Sequence, residues 1–294
     1  SAHAQSADEA GQPATRVDDI LVEGERPGSD RSRFTAPPLD TPRSVTVIDS
    51  ALIEQRGAAS LADVLRTTPG IALGSGEGGT PIGDRPFIRG YEASTDIFID
   101  GVRDLGRFAH EAFNIEQVAV LLGPSSAYSG RGSTGGSINM VSKRPRAETF
   151  VRGAVGLGAD DYGRATIDAN YAVNAQLGLR LNLMSHQNDT PGRDHGHAER
   201  YGIAPSIAFR FSAHTRASFN HYVLRADDTP DLGHPFAVDG SNAPVAVRRD
   251  NYYGVIGRDA RRNDADISTL ILEHRFANGF ELTNVTRVGE TISQ

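Results

Sequence analysis

From about Thr149 to the end of the chain, apolar and polar side chains alternate with a period of two. Gly163, Ala165, Ile167, Ala169 and Tyr171 alternate with Tyr162, Arg164, Thr166, Asp168 and Asn170. Leu177, Leu179, Leu181 and Leu183 alternate with Gly178, Arg180 and Asn182. Ile203, Ile207, Phe209 and Phe211 alternate with Ala204, Ser206, Ala208 and Arg210. Side chains of a strand project to opposite faces in turn, so each run has one apolar and one polar face. Each is close to the roughly 9–11 residues that a tilted strand needs to cross a bilayer. Later runs near 215–225, 266–276 and 279–289 alternate less cleanly, which makes seven strands in all with the first run.

Loop lengths carry a second signal. The joints fall at 159–160, 173–176, 188–199, 212–214, 227–264 and 277–279. The second, fourth and sixth are short, and the last holds Asn278-Gly279, a tight hairpin signature. The third and fifth are long. Short turns on one rim and long loops on the other are the habit of outer-membrane barrels. The short first joint departs from that pattern. No apolar run reaches the roughly 18 residues of a membrane helix, which excludes a helical membrane protein and says nothing against a barrel.

Residues 41–146 read differently, as a compact α+β unit. Ser44–Ile48 is a strand. Asp49 or Ser50 caps a short helix through Arg56, ended by Gly57. Ser60 and Asp63 form a capping box for a helix through Arg66, closed by Pro69-Gly70. Short strands are expected near Phe87–Arg89, Asp96–Asp100, Gln117–Leu121 and Ser137–Ser142. Two long loops, Gly74–Pro86 and Gly101–Phe113, lie between them, and loops of that length are often functional.

Within this unit, GRGSTGG at 130–136 matches the G-x-G-x-x-G spacing of a dinucleotide-binding turn. Such a turn must open a helix whose N-terminus faces the pyrophosphate. Here Gly136 leads into Ser-Ile-Asn-Met-Val-Ser, which is β-branched and alternating. No βαβ repeat and no Gly-Lys-Ser/Thr occur, so nucleotide binding fails on context. The glycines instead permit close approach of backbone.

Other chemistries are bounded by composition. A net charge of −7 without a basic stripe argues against a nucleic-acid partner. With no cysteine there is no thiolate metal site and no cysteine nucleophile. No catalytic constellation and no resident cofactor are expected. His195 and His197 share one long loop, and two histidines there read as solvated rather than as a metal site. Residues 1–40 are polar and rich in Pro, Gly and Asp, a flexible segment. It begins with Ala2-His3-Ala4, like a signal-peptidase site, with cleavage expected near Ala4 after export. One short apolar island, Asp18–Glu23, is of a kind that adds as a strand to a partner's sheet edge.

Two long stretches now carry a family. PFIRGYEASTDIFIDGVRD (86–104) and FNIEQVAVLLGPSSAYSGRGSTGGSINMVSKRP (113–145) resemble the plug of TonB-dependent outer-membrane receptors. The segments I-R-G-Y, D-G-V-R-D, F-N-x-E-Q and G-G-S-I-N-M-V-S-K are most similar to receptors for ferric catecholate siderophores of the Fiu type. The resemblance runs over about residues 17–294. It implies an α+β plug, residues 41–146, followed by antiparallel transmembrane β-barrel strands from 147 to 294. It also implies active uptake of an Fe(III)–siderophore complex across the outer membrane, with outer-membrane lipid around the barrel. Asp19, Ile20, Leu21, Val22 and Glu23 then become the TonB box, which pairs with TonB, itself powered with ExbB and ExbD. Other readings stay open: a TonB-dependent receptor for a hydroxamate siderophore, haem or cobalamin, or a secreted β-rich adhesin.

A ferric tris-catecholate is an anion with aromatic rings, so its site calls for cationic and aromatic groups. The apical plug loops offer Arg85, Tyr91, Arg103, Arg107, Phe108 and His110. In the family, the Arg of the I-R-G motif, here Arg89, pairs with barrel glutamates together with a base before Gly-Pro. That second base is absent from Ala119–Pro124, and Arg131 is the substitute expected. About seven strands of the family's 22 are present, so a truncated receptor chain is expected.

Overall fold

The computed structural model describes residues 44–75, 82–124, 133–241 and 243–294. Asp19–Glu23 and Arg131 lie outside the described residues.

The first elements form where the caps require. Strand β1 (Ser44–Asp49) runs into helix α1 (Ser50–Gln55), whose N-cap Asp49 accepts from the Leu52 amide at 2.9 Å. Gly57, at φ 61°, lets the chain leave that helix. Helix α2 (Leu61–Arg66) starts at a complete capping box between Ser60 and Asp63. Three small strands follow: β2 (Ile71–Leu73), β3 (Pro86–Ile88) and β4 (Tyr91–Glu92). They pair in that order as one sheet. Strands β5 (Ile97–Ile99), β6 (Val102–Arg103), β7 (Ile115–Leu122) and β8 (Gly136–Ser142) join β1 in a five-stranded sheet of order β1-β7-β8-β5-β6. The β5–β8 pair is parallel. Ile53, Leu61, Val64 and Leu65 of the helices bury against Ile48, Val118, Val120, Ile138 and Met140 of the sheet. That apolar contact is what holds the small α+β unit together.

The glycine pair at the end of GRGSTGG starts β8. A Cβ on Gly135 would stand 2.2 Å from the Ile88 carbonyl oxygen, and one on Gly136 would stand 2.1 Å from that of Leu121. No side chain fits either position, so these glycines serve close backbone packing. Gly136 opens a strand, as the sequence implies, and not a helix.

The rest of the chain is a meander of seven antiparallel strands: β9 (Phe150–Leu157), β10 (Gly163–Ala172), β11 (Leu177–Asp189), β12 (His197–Ser212), β13 (Thr215–Asp228), β14 (Arg261–Arg275) and β15 (Glu281–Ser293). Each pairs with its sequence neighbour. β12 has 16 residues and β15 has 13, longer than the alternating runs alone indicate. Polar residues at the ends of these strands hide the extra length. The short first turn has Asp160 and Asp161 at φ 55° and 52°, the left-handed pair of a tight hairpin of the I′ kind. That geometry is why the first joint is short.

This sheet is apolar on the side away from the α+β unit. Ile167, Leu181, Ile203, Phe219 and Leu270 face outward and exposed. The opposite face carries Asp168, Asn170, Arg180, Asn182, Asn220 and Asn263, all buried. Polar inside and apolar outside is the inverse of a soluble protein and suits strands set in lipid. Tyr171, Phe209, Phe211, Phe276 and Phe280 gather near the three short turns, where a membrane interface favours aromatic rings.

Candidate ligand face and plug–wall interface

The six residues expected to meet ligand divide into two groups. Four stay at the surface or near it. Tyr91 is 56% exposed and Arg107 is exposed. Arg85 forms an ion pair with Glu92 at 3.2 Å, donates to the Ser75 carbonyl at 2.8 Å and lies over the Phe87 ring. The Glu92 carboxylate raises the Arg85 pKa and is itself held below the usual carboxylate range by Arg85. Arg103 pairs with Asp96 at 2.9 Å and lies over Phe98. Burial raises the Asp96 pKa more than Arg103 lowers it. These pairs hold two guanidinium groups in place while leaving them reachable.

Phe108 and His110, by contrast, are buried and turn toward the wall rather than to the surface. Phe108 is 1% exposed and packs between the α+β unit and the sheet, with its ring 6.4 Å from that of Tyr222. His110 is buried between two carboxylates. Its Nδ1 lies 2.7 Å from Asp84 and its Nε2 lies 3.0 Å from Asp104. Burial disfavours the imidazolium, yet the hydrogen bonds to Asp104 and Asp84 outweigh it and raise the pKa to about 9. The same contact, with Arg287, draws the Asp104 pKa down against the opposing effect of its burial. Arg287 of β15 reaches Asp104 at 3.1 Å. An apolar ring and a doubly bound histidine are what a plug needs where it meets its wall.

Arg89 sits at φ 52°, exposed, with its guanidinium beside Gly123. It makes no ion pair among the described residues. Most of the ion pairs that join unit to wall here have the opposite polarity. Glu111, whose side chain is 1% exposed, forms ion pairs with Arg164 of β10 and Arg200 of β12, each at 2.9 Å. Glu116 accepts from Arg180 of β11 at 3.1 Å and also pairs with Arg146. Arg180 also binds Asp168 at 2.7 Å, and Lys143 reaches Asp168 at 3.0 Å. Acids on the plug side grip bases on the wall, with Lys143 and Asp168 paired the other way round. Their signal was present in the sequence: Arg164, Arg180 and Arg200 all fall in the polar phase of alternating strands, and Glu111 and Glu116 bracket Ala112-Phe113-Asn114-Ile115. Spacing alone does not tell which charges meet across more than 50 residues.

Between those two glutamates, Phe113 enters the wall. A Cβ on Gly202 would come within 2.6 Å of the Phe113 ring. Phe113 also stacks on Tyr222 at 5.7 Å and packs with Met184, Ala204 and Leu224. The missing side chain at 202 is the socket for the ring.

His195 and His197 take separate partners. His195 meets the Tyr252 ring at 5.3 Å, whereas His197 pairs with Asp189 at 2.9 Å. No group of three metal-ligating side chains occurs among the described residues.

The comparisons with known proteins agree with this arrangement. The family model for the TonB-dependent receptor plug domain matches residues 37–137. The chain is 44% identical over 261 residues to the probable TonB-dependent siderophore receptor PiuA of Acinetobacter baumannii, covering 87% of this chain and 35% of that protein. It is 36% identical over 298 residues to the catecholate siderophore receptor Fiu of Escherichia coli K12, covering 95% of this chain and 39% of that one. The crystal structure of PiuA superposes with a TM-score of 0.84 at 42% identity, covering 92% of this chain and 39% of that one. The closed form of Fiu gives a TM-score of 0.84 at 34% identity, covering 91% and 39%. The chain thus spans well under half the length of the relatives it matches. With a plug fold docked by ion pairs on the polar face of seven antiparallel strands, this chain belongs to the TonB-dependent siderophore receptors, whose plug and barrel-wall strands it carries.

Proposed function

We propose that the protein serves active uptake of ferric siderophores through the outer membrane, with catecholate complexes as the favoured ligand class. The family is a class of receptors and transporters rather than enzymes. The observation that supports the reading most is the wall itself. Its outer face is apolar, its inner face is polar, and a plug is docked against the inner face. A secreted adhesin has no use for such a plug, or for an apolar island in a solvated tail. Catecholate preference rests on the similarity to Fiu and on the cations and ring of Arg85, Arg103, Arg107 and Tyr91, which lie at or near the surface. These four are the proposed ligand contacts, and a cation over an aromatic system suits a catecholate anion.

Energy coupling is proposed to pass through Asp19–Glu23, which would pair with TonB, driven by ExbB and ExbD. Deleting residues 18–24 from the whole receptor carrying this sequence tests the proposal. Uptake of iron should be lost while ligand still binds at the cell surface. Unchanged uptake after that deletion would exclude a TonB-coupled role for the segment.

A further inference from the structure

The plug meets its wall unevenly. Along β10–β12 the contact is dense: Glu111 with Arg164 and Arg200, Glu116 with Arg180, and Phe113 over Gly202. Along β13–β15, one ion pair among the described residues joins plug to wall, Arg287 to Asp104, and the remaining contact is apolar, Phe108 and Phe113 clustering with Tyr222, Leu224, Ala265 and Ile267. Beside it lies a cavity of about 40 Å³ between plug and wall. Phe108 and Ser142 line it from the plug, and Asn220, Tyr222, Thr269 and Arg287 line it from β13–β15. A space of that size holds a few water molecules.

A single row of side chains explains the contrast. Asn170, Arg180, Ser206, Asn220, Thr269 and Arg287 are direct cross-strand neighbours from β10 to β15. All six lie on the inner face and all are polar. The β10–β12 half is occupied. Asn170 bonds the backbone of Arg146, Arg180 bonds Asp168 and Glu116, and Ser206 donates to the Arg180 carbonyl. The β13–β15 half is matched less fully, with Arg287 bonded to Asp104 through Nη2. The Asn220 side-chain amide and Nη1 of Arg287 line the cavity and are buried without a partner among the described residues, whereas the unpartnered Asn182 amide and Nη1 of Arg164 on β10–β11 do not line it. Buried polar groups left unmatched weaken a contact, and ones facing a cavity are ready to accept other polar partners.

We infer that substrate passes between the plug and strands β13–β15, and that the β10–β12 face stays docked as the hinge. This path rests on the transport reading above. A cavity already separates the two surfaces there, one ion pair and the non-directional apolar packing of Phe108 and Phe113 have to part, and the exposed row would offer an amide, a hydroxyl and a guanidinium to an anionic oxygen-rich complex. Opening along β10–β12 would instead part three ion pairs at once, Glu111 from Arg164 and Arg200 and Glu116 from Arg180, and leave Glu111 and Arg164 without a charged partner.

The chain contains no cysteine, so each introduced thiol is unique within it. In the whole receptor, Thr269→Cys reports the proposed path and Met184→Cys, beside Phe113, reports the hinge. Cells are treated with a membrane-impermeant thiol reagent, with and without ferric catecholate and proton-motive force. Uptake of radiolabelled iron is read in the same cells, so loss of transport is distinguished from a wrong path. Labelling of Thr269→Cys should rise severalfold during energised uptake, while Met184→Cys stays unlabelled. If Thr269→Cys impairs folding, Asn220→Cys takes its place. In transporting cells, labelling of Met184→Cys that equals or exceeds that at the β13–β14 positions overturns the path, and so does unchanged labelling at those positions.

Discussion

The His110 cluster makes the docked plug sensitive to alkaline pH. In the folded protein the imidazolium donates to Asp84 and Asp104, and Arg287 faces Asp104 from the wall. Its pKa stands at about 9 against 6.5 for a free imidazole. That difference corresponds to about 3 kcal/mol of stability, at roughly 1.4 kcal/mol for each tenfold change in proton affinity. The folded pKa is the higher one, so this contribution is fully present below about pH 6.5. It declines as pH rises further, because the unfolded chain releases its proton first, and it is gone above about pH 9. Asp104 acts at the other end: its lowered pKa adds stability that is lost as the solution becomes acidic. The assay is urea unfolding followed between neutral pH and pH 10, comparing the parent with His110→Gln. The parent should lose stability over that range by about the amount above, and the variant should be less stable at neutral pH with a flatter profile. Equal slopes for parent and variant would refute a charged His110 at the interface.

Three further outcomes follow from the plug–wall contacts. Glu111→Gln leaves Arg164 without its carboxylate partner and weakens the hold on Arg200, and should cost about 3–5 kcal/mol of docking. Limited trypsin digestion of the plug reads that loss, and an unchanged digestion pattern counts against the ion pairs. Gly202→Val should displace Phe113 from its socket and lower the melting temperature by several degrees, since overpacking typically costs about 1–3 kcal/mol. A variant that melts like the parent would show the socket to be loose. Gly136→Ala should prevent β8 from pairing normally with β7, because the new methyl group meets the Leu121 carbonyl. Normal export and protease resistance of that variant would contradict the close approach.

Features written into local sequence are legible in the residues alone. The Ser60–Asp63 box needs only a three-residue spacing, and Asp49 with Gly57 brackets α1 in the same local way. The wall strands were legible because alternation repeats over many residues and because one face must meet lipid. Strands β2, β4 and β6 were not, since two or three residues carry no period and these lack the aromatic and β-branched pairing, Phe87-Ile88 and Ile97-Phe98-Ile99, that marks β3 and β5. They form because neighbouring backbone offers hydrogen bonds. The ligand loops were only half legible. Arg85, Arg103, Phe108 and His110 share a loop-rich stretch, and nothing in their spacing says which ones turn toward the wall. Burial of Phe108 and His110 depends on Tyr222 and Arg287, more than 100 residues away. The reversed lock has the same cause: Glu111 and Arg164 are paired by the fold and not by their neighbours in the chain. Arg89 shows the converse, a family motif kept in sequence whose side chain meets no acid among the described residues.

The central claim is that a docked plug in this chain belongs to a ferric siderophore transporter. The most direct measurement is binding and uptake of radiolabelled ferric tris-catecholate by cells that express the whole receptor carrying this sequence. Binding should occur in both energised and de-energised cells, with accumulation only in energised ones, and an unlabelled ferric hydroxamate should compete poorly. Absence of saturable binding of any ferric siderophore, or accumulation that continues without the proton-motive force, would contradict the account.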